Sequence, residues 1–237
     1  PGERILEVGC GTGTTTLPLA EAGGERGQVL GVDISEPMLS VARRRVAERG
    51  APNVSLLLAD AQVHHFEPEC FDLVASRFGV MFFENPIAAF RNLRDAVRPG
   101  GRLCFVCWAP LDDNPHWRLP LDIVVEYVGA PTPKPPHAPG PLAFSDARYV
   151  RTILDAAGFT SVDIAPVPVR IIGSTPEQEA DFACLMGPPG SLLDERSPDA
   201  AVRATIKREM TWAFAAFATA DGIRLPASVF VVHARRP

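Results

Sequence analysis

The sequence lacks the features that would place the protein on nucleic acid or in a membrane. Its 237 residues carry 28 acidic and 23 basic side chains, a formal net charge of −5. Nucleic acid favours a basic face, so we expect no nucleic-acid partner. We interpret the triplet Arg43, Arg44 and Arg45 as the solvated face of a helix. No apolar run is long enough to span a bilayer, and no signal peptide opens the chain. We therefore expect a cytoplasmic protein.

Cysteine is also scarce, and its placement argues against a metal site. An odd, scattered set of cysteines favours free thiols in a reducing compartment. Cys104 and Cys107 form a C-x-x-C pair, but they lie in a strand pattern, where residues three apart point to opposite faces. His64 and His65 have no nearby partner set. We expect no metal. The five cysteines are Cys10, Cys70, Cys104, Cys107 and Cys184.

The most informative segment is a glycine-rich loop near the start of the chain. An apolar run containing Glu7 is followed by three alternate glycines, Gly9, Gly11 and Gly13, and then by a helix-competent stretch. Glycine lets the backbone adopt positive φ and approach a ligand closely. The free N–H groups and the positive dipole at a helix start suit a carboxylate or a phosphate. This pattern predicts a nucleotide-like ligand.

The glycine spacing separates the candidate ligands. The dinucleotide fingerprint Gly-x-Gly-x-x-Gly needs a third glycine where Thr14 stands, and no Gly-Lys-Ser/Thr follows, which excludes a phosphate-binding loop. Asp33, at the end of a second apolar run, can accept hydrogen bonds from both hydroxyls of a ribose. That feature alone also fits NAD, so an NAD-dependent oxidoreductase stays open as the less favoured alternative.

Further motifs follow the loop in order. They are residues 6–13 (Leu-Glu-Val-Gly-Cys-Gly-Thr-Gly), 31–39 (Gly-Val-Asp-Ile-Ser-Glu-Pro-Met-Leu), 59–61 (Ala-Asp-Ala), 71–74 (Phe-Asp-Leu-Val) and 93–101, which ends in Arg-Pro-Gly-Gly. This series resembles the class I S-adenosylmethionine (SAM) methyltransferases, and among them the type-11, ubiquinone/menaquinone-biosynthesis-like group. The resemblance covers roughly residues 1 to 110. It implies SAM as cofactor and S-adenosylhomocysteine (SAH) as product, but says almost nothing about the methyl acceptor.

The fold class expected is α/β. Alternating strand and helix patterns in the first half predict a parallel sheet covered on both faces. The resemblance implies a Rossmann-like, seven-stranded, mostly parallel sheet with an antiparallel last strand, in a single methyltransferase domain over 1–237. Residues 112–141 and 175–220 are expected to be helical cap insertions over the substrate. Helices are predicted at 15–22, 37–49, 86–97, 116–128 and 147–157, a helical region at 175–220 with one break at 187–190, a proline-rich loop at 131–141, and late strands at 159–172 and 226–235.

The resemblance also implies the cofactor contacts. The acid before the loop and the loop itself hold the methionine portion, and Asp33 takes the ribose hydroxyls. Asp60 and Ala61 border the adenine, while Ile34 and Met38 pack on it. Two residues after the fourth strand lie near the amino acid end, mainly through backbone groups. The full set is Glu7, Gly9, Cys10, Gly11, Thr12, Gly13, Asp33, Ile34, Met38, Asp60, Ala61, Ser76 and Arg77.

The chemistry expected is a direct displacement of the methyl group by the acceptor. The donor is activated by its own positive charge, so the protein contributes mainly proximity, alignment and exclusion of water. No catalytic base is evident. His65 and His116 are candidates by position, with packing as the competing interpretation of each. A SAM-binding sensor or assembly module without turnover is the second alternative.

The acceptor is expected to be a small apolar or aromatic molecule. The apolar run at residues 78–83, with Trp108 and Trp117, favours this class, although ordinary core packing is the competing explanation. His116 and Trp117 are the residues predicted to bind the substrate, because they follow the fifth strand. The motifs carry no information on oligomeric state.

Overall fold

A single sheet runs through the protein, whose 237 residues are all described by a computed structural model. Seven strands follow the order β3-β2-β1-β4-β5-β8-β6, and a two-residue strand, β7, pairs with β8. The predicted seven-stranded sheet is confirmed, with β7 as a short addition. The strands are β1 (Arg4–Val8), β2 (Gln28–Asp33), β3 (Val54–Leu58), β4 (Phe71–Arg77), β5 (Val97–Trp108), β6 (Thr160–Gly173), β7 (Ala218–Thr219) and β8 (Gly222–Arg235).

The strand directions bring the predicted cofactor residues to one edge. Strands β1 to β5 pair in parallel, with Ile5 of β1 opposite both Val29 of β2 and Leu73 of β4. The carboxyl ends of parallel strands therefore meet at one edge of the sheet, where ligands bind in open α/β folds. Strand β8 is antiparallel to β5, since the Gly100 N–H donates to the Arg236 carbonyl at 3.0 Å and the Ala109 N–H to the Ser228 carbonyl at 3.2 Å.

Eight helices connect the strands, and their ends carry the expected local signals. Asn85 accepts from the Ala88 N–H at the start of α3, and Asp146 accepts from the Arg148 N–H at the start of α5. Helix α5 ends at Gly158, whose φ of 89° is left-handed. The helices are α1 (Thr16–Gly23), α2 (Glu36–Arg49), α3 (Pro86–Ala96), α4 (Pro115–Val128), α5 (Ala147–Ala157), α6 (Pro176–Leu185), α7 (Gly187–Arg196) and α8 (Ala200–Ala215), with single 3-10 turns at Val80–Phe82 and Leu111–Asp113.

Two predicted boundaries are wrong for a physical reason. The segment 187–190 does not break the helical region; it forms the first turn of α7, and the breaks fall at Met186 and at residues 197–199. Proline is tolerated there because the first N–H groups of a helix have no intrahelical partner. The closing strand begins at Gly222 rather than Pro226 because β8 first forms a hairpin with β7. The proline-rich segment 131–141 has no helix or strand, as predicted.

The chain divides into two compact units. The first comprises Pro1–Cys107, Asp146–Ala165 and Phe230–Pro237, and Phe90 and Phe105 stack in its core with ring centroids 5.6 Å apart. The second comprises Trp108–Ser145 and Pro166–Val229. Its core joins α4, α6, α7 and α8 through Val124, Ala180, Leu192, Ile206, Met210 and Phe214.

Both expected cap segments, 112–141 and 175–220, lie in the second unit. Their role as caps of one methyltransferase domain stays a prediction. No helix of the chain combines the length and the apolar character needed to cross a membrane.

Candidate active site

The glycine loop after β1 has the conformation that its sequence predicts. Gly9, Gly11 and Gly13 have φ values of 68°, 53° and 79°, a region that favours glycine. A Cβ on Gly9 would lie 2.6 Å from the Cα of Gly79, in the loop after β4. The N–H groups of Gly9 and Cys10 both donate to the Val32 carbonyl, at 2.9 and 3.1 Å. The loop is therefore fixed against both neighbouring strand ends.

Asp33 ends β2 beside this loop, and two backbone groups orient its carboxylate. The Gly11 N–H donates to Oδ2 at 2.7 Å, and the Ser35 N–H donates to Oδ1 at 2.8 Å. A carboxylate oxygen can accept two hydrogen bonds, so each oxygen keeps one accepting position. Two such positions on a fixed, partly buried carboxylate suit the two adjacent hydroxyls of a ribose.

Glu7 lies in β1, beneath the loop, with 1% of its surface exposed. The Thr16 hydroxyl, in the first turn of α1, donates to its Oε2 at 2.5 Å. Burial raises the pKa of Glu7, while the Thr16 hydrogen bond and the charge of Arg77 act to lower that pKa and the charge of Asp33 adds to the rise. Glu7 therefore ties the strand to the helix that follows the loop. Its predicted contact with the methionine portion stays a prediction.

The predicted adenine contacts are unusually exposed for apolar residues. Ile34 is 73% exposed and Met38 is 44% exposed. Ile34 directly follows Asp33, and Met38 lies in the first turn of α2. The loop after β3 is held by hydrogen bonds within itself and to α3: Asp60 accepts from the Gln62 N–H at 2.9 Å, and the carbonyl of the buried Ala61 accepts from the Asn92 amide at 3.0 Å. Exposed apolar side chains close in the chain to the fixed Asp33 carboxylate suit a planar base.

The end of β4 is shaped by a buried hydroxyl and a strained residue. The Ser76 hydroxyl donates to the Val8 carbonyl at 2.8 Å and accepts from the Gly79 N–H at 3.1 Å. Phe78 has a φ of 66°, which is rare for a bulky residue and marks local strain. Arg77 is exposed. Ser76 therefore joins the β1 and β4 loops through its side chain, and only its backbone is left for the predicted contact with the amino acid end.

The predicted substrate residues form an aromatic cluster in the second unit. The ring centroids of Trp108, His116 and Trp117 lie between 4.7 and 4.9 Å from one another. His116 is 8% exposed, and neither ring nitrogen has a hydrogen-bond partner. Burial lowers the pKa of His116 to about 4, so the ring is neutral near pH 7. Trp117 is 9% exposed, and its indole nitrogen lies 2.8 Å from the position that a Cβ on Gly187 would take.

The other histidine and cysteine candidates have ordinary surroundings. His65 is exposed, and the His64 ring packs edge-on against Phe66 with centroids 4.8 Å apart. All five cysteines are free thiols, and Cys107 is buried while Cys104 is partly exposed. No group of three or more His, Cys, Asp or Glu side chains is placed to share a metal ion.

A comparison with known protein families shows which family the first part of the chain matches. A family described as "Methyltransferase domain" matches residues 5–101, from β1 through the early part of β5. Residues 5–101 belong to the methyltransferase-domain family. The match spans the glycine loop, Asp33, the loop after β3 and the end of β4. It confirms the resemblance to SAM-dependent methyltransferases that the motifs predicted.

Several known methyltransferases are similar to this chain over part of their length. Aklanonic acid methyltransferase from Streptomyces sp. (strain C5) is 39% identical over 104 residues, 44% of this chain and 47% of that protein. Nocamycin O-methyltransferase from Saccharothrix syringae is 36% identical over 171 residues, 68% of this chain and 61% of that protein. Demethylmenaquinone methyltransferase from Bacillus cereus is 39% identical over 103 residues, 44% of each chain. The matches thus span 44 to 61% of these relatives' own lengths.

A solved structure extends the likeness of fold beyond the methyltransferase domain. A SAM-dependent methyltransferase from Aquifex aeolicus superposes with a TM-score of 0.56 at 16% identity, covering 100% of this chain and 83% of that one. At this identity the likeness concerns the fold alone. It supports the predicted Rossmann-like α/β class.

The sequence motifs did not predict two residues that support the site. Arg45 of α2 donates to the Thr12 carbonyl at 3.0 Å, to the Thr12 hydroxyl at 2.9 Å and to the Thr14 hydroxyl at 3.3 Å. Asn92 of α3 donates to the carbonyls of Ala61 and His64 at 3.0 and 2.8 Å. The interpretation of the arginine triplet as a solvated face is therefore incomplete for Arg45, although all three arginines are exposed.

Proposed function

We propose that the protein binds SAM at the carboxyl ends of β1, β2 and β3 and transfers its methyl group to a small apolar or aromatic molecule. The observation that carries the proposal is the carboxylate of Asp33. Two backbone N–H groups orient it, and one accepting position remains on each oxygen. Hydrogen bonds to a charged acceptor are worth about 1.5–3 kcal/mol each, so a ribose diol at this site gains both affinity and orientation.

The alternative ligand with the same ribose chemistry is NAD, and two features argue against it. The third glycine of the dinucleotide fingerprint is replaced by Thr14. The sheet also departs from the dinucleotide-binding strand order 3-2-1-4-5-6, because antiparallel β8 lies between β5 and β6. The relatives named above are methyltransferases, which favours SAM on independent grounds.

The residues of this chain would position the donor and keep water away. Bound SAM supplies a methyl group on a positively charged sulfur. Gly9, Gly11 and Gly13 let the methionine portion approach the loop backbone closely, because these three residues have no side chains. Ile34 and Met38 pack on the adenine, and Asp60 with Ala61 borders it. Because the methyl group is already activated, placing it in line with the acceptor supplies most of the rate.

The acceptor class rests on the second unit and on the relatives. The relatives named above are called methyltransferases of aklanonic acid, nocamycin and demethylmenaquinone. We assign Trp117 and His116 to the acceptor because each is about nine-tenths buried in one aromatic cluster. Segments 112–141 and 175–220 would cover the bound acceptor. The five free cysteines fit a cytoplasmic enzyme.

Isothermal titration of the protein with SAH and, separately, with NAD tests the cofactor. We expect SAH to bind and NAD not to bind. Binding of NAD without binding of SAH would overturn the proposal. A panel of small acceptors, with SAH release as the readout, then separates an enzyme from a SAM sensor, because a sensor would bind SAH and release none.

A further inference from the structure

The loop after β3 contains no helix or strand, and it lies within the first unit. Its turn at residues 60–64 is shaped by bonds to Asp60. The N–H groups of Val63 and His64 donate to the Asp60 carbonyl at 3.2 and 2.9 Å. The Gln62 N–H donates to Oδ1 of Asp60 at 2.9 Å. These bonds are all internal, so they set the shape of the turn, and its place in the fold must come from contacts with other elements.

Asn92 of α3 supplies such a contact. Its side-chain nitrogen donates to the Ala61 carbonyl at 3.0 Å and to the His64 carbonyl at 2.8 Å. An amide nitrogen carries two hydrogens, so both donors of Asn92 are used on the same turn. Both bonds are partly buried, where water competes less for the carbonyls. Asn92 therefore fixes two points of the turn to α3.

Two further bonds hold the neighbouring parts of the loop. At the start of α3, the Asn85 N–H donates to the side-chain oxygen of Gln62 at 2.8 Å. On the other side, the Ala59 N–H donates to the carbonyl of Asp33 at 3.0 Å, the residue assigned to the ribose. The turn consequently has a defined position relative to Asp33, with α3 holding it from one side and the end of β2 from the other.

Asp60 is the polar side chain that this turn offers to a base. It is exposed, and Oδ1 accepts from the Gln62 N–H. A carboxylate has about four accepting positions, so Asp60 keeps acceptor capacity for a ligand. Such an acceptor suits the amino group of adenine and would repel the carbonyl oxygen that hypoxanthine has in its place. The position of the turn therefore decides how well Asp60 meets the base.

We propose that Asn92 is a positioning residue, which sets the preference of the cofactor site for adenine by holding the turn that carries Asp60. This inference rests on the proposed function, in which the turn borders the adenine. Asn92 acts through two backbone carbonyls and makes no contact with the ligand itself. Its loss would leave both carbonyls without their donor and free the turn from α3, so that Asp60 meets the base less often.

The test is calorimetric titration of the full chain with SAH and with S-inosylhomocysteine, in which hypoxanthine replaces adenine. We expect the wild type to prefer SAH by at least about tenfold, because a site that bonds an N–H group rejects an analogue without it. Asn92→Ala should weaken SAH by about tenfold and S-inosylhomocysteine less, so that the preference falls by about threefold or more. Asp33→Ala should weaken both ligands equally and keep the preference, since both carry the same ribose.

Two conservative variants separate the donors of Asn92 from its shape. Asn92→Asp has the same shape without the donors, and it should lose at least as much of the preference as Asn92→Ala. Asn92→Gln keeps the amide donors on a longer side chain, and it should retain more of the preference than either. A role in filling space alone would give the opposite order, with Asn92→Asp nearest to the wild type.

Arg91→Ala is the matched control. Arg91 is the adjacent residue of α3, and it also donates two bonds to a backbone carbonyl, that of Ala156, at 3.2 and 3.0 Å. Arg91→Ala should keep the wild-type preference for SAH. Amide hydrogen exchange at Val63 and His64 should accelerate in Asn92→Ala and stay unchanged in Arg91→Ala.

Three results would overturn the inference. They are equal affinity of the wild type for the two ligands, an unchanged preference in Asn92→Ala, and an equal loss of preference in Arg91→Ala. A wild type that binds neither ligand would instead overturn the proposed function, so the two failures are distinguishable. If Asn92→Ala does not fold, the other two variants decide, because equal preferences in Asn92→Asp and Asn92→Gln would contradict the role of the amide donors.

Discussion

The Gly11 N–H donates to the Asp33 carboxylate at 2.7 Å, across 22 residues of chain. This bond links the loop after β1 to the end of β2, and it accounts for why the two motifs act together. Gly11 has a φ of 53°, and in this conformation its N–H points at the Asp33 carboxylate. A single carboxylate thus orients the loop and keeps accepting positions for a ligand.

Replacing Asp33 with alanine is expected to weaken SAH binding at least about tenfold. The change removes two charge-assisted hydrogen bonds to the ribose, each worth about 1.5–3 kcal/mol, and leaves the Gly11 and Ser35 N–H groups without their acceptor. Calorimetric titration with SAH measures the effect, and circular dichroism checks the fold. Asp163→Ala, at an exposed position on β6, is the matched control. An unchanged dissociation constant for Asp33→Ala would show that the ribose assignment is wrong.

Replacing Arg45 with alanine is expected to loosen the glycine loop. Three hydrogen bonds to Thr12 and Thr14 are lost, although Arg45 is exposed and water replaces part of them. We expect SAH affinity to fall by about three- to tenfold and amide hydrogen exchange in the loop to accelerate, since each net hydrogen bond is worth about 0.5–1.5 kcal/mol. The neighbouring Arg44→Ala should change neither quantity. Equal effects of the two variants would mean that the contact with the loop has no energetic role.

Glu7 is expected to make stability depend on pH in a defined direction. Burial raises the pKa of Glu7 in the folded protein, so the folded state holds this proton more tightly than the unfolded state does. The favourable contribution is complete below the unfolded pKa, about 4.3, and is lost as pH rises through the folded pKa. Glutamine does not titrate, so Glu7→Gln should remove this loss. The variant should therefore gain stability relative to wild type as pH rises above the pKa of Glu7 in the unfolded state.

Thermal unfolding at a series of pH values measures this gain. Glu48→Gln, on the exposed side of α2, should follow the wild type at every pH. A constant difference between Glu7→Gln and wild type across the series would contradict the assignment.

Gly187→Ala is expected to displace Trp117. The added Cβ would lie 2.8 Å from the indole nitrogen, at a residue with a φ of 68°. Overpacking of this kind costs about 1–3 kcal/mol, so we expect lower stability and a higher KM for the acceptor, with SAH affinity little changed. Gly129→Ala is the control, because Gly129 has a φ of 80° and nothing within 4 Å of its added Cβ. Gly129→Ala has the same kind of backbone strain but no clash with another side chain. If both variants showed the same acceptor kinetics, the role of Trp117 would be refuted.

Trp117→Ala is expected to raise the acceptor KM or lower kcat with little change in SAM affinity. The indole packs on His116 and Trp108, in the unit that does not contain Asp33 or the glycine loop. Steady-state kinetics and SAH titration separate the two effects. Trp212→Ala, a substitution of an 83% exposed tryptophan in the same unit, should alter neither. If Trp117→Ala weakened both ligands together, or neither, Trp117 would be structural or remote.

The local signals of the sequence predicted most elements to within two residues. Helix α5 begins and ends where Asp146 and Gly158 indicate, because a cap residue and a left-handed glycine act within one turn. The segment 187–190 was misread for the same local reason. In sequence, the segment Gly-Pro-Pro-Gly resembles a break between helices. It begins a helix here because α7 packs against α4 and α6.

The sequence by itself determined the glycine loop and the match to the methyltransferase-domain family, because spacing along one strand, turn and helix acts over short distances. The tertiary structure alone decided which side chains support that loop. Arg45 and its two neighbours are equivalent in sequence, and only the packing of α2, whose Ala42 lies close against Gly13, brings Arg45 to Thr12. Tertiary packing also decided the burial of His116, because its ring nitrogens are removed from solvent only when segments far apart in the chain pack around them.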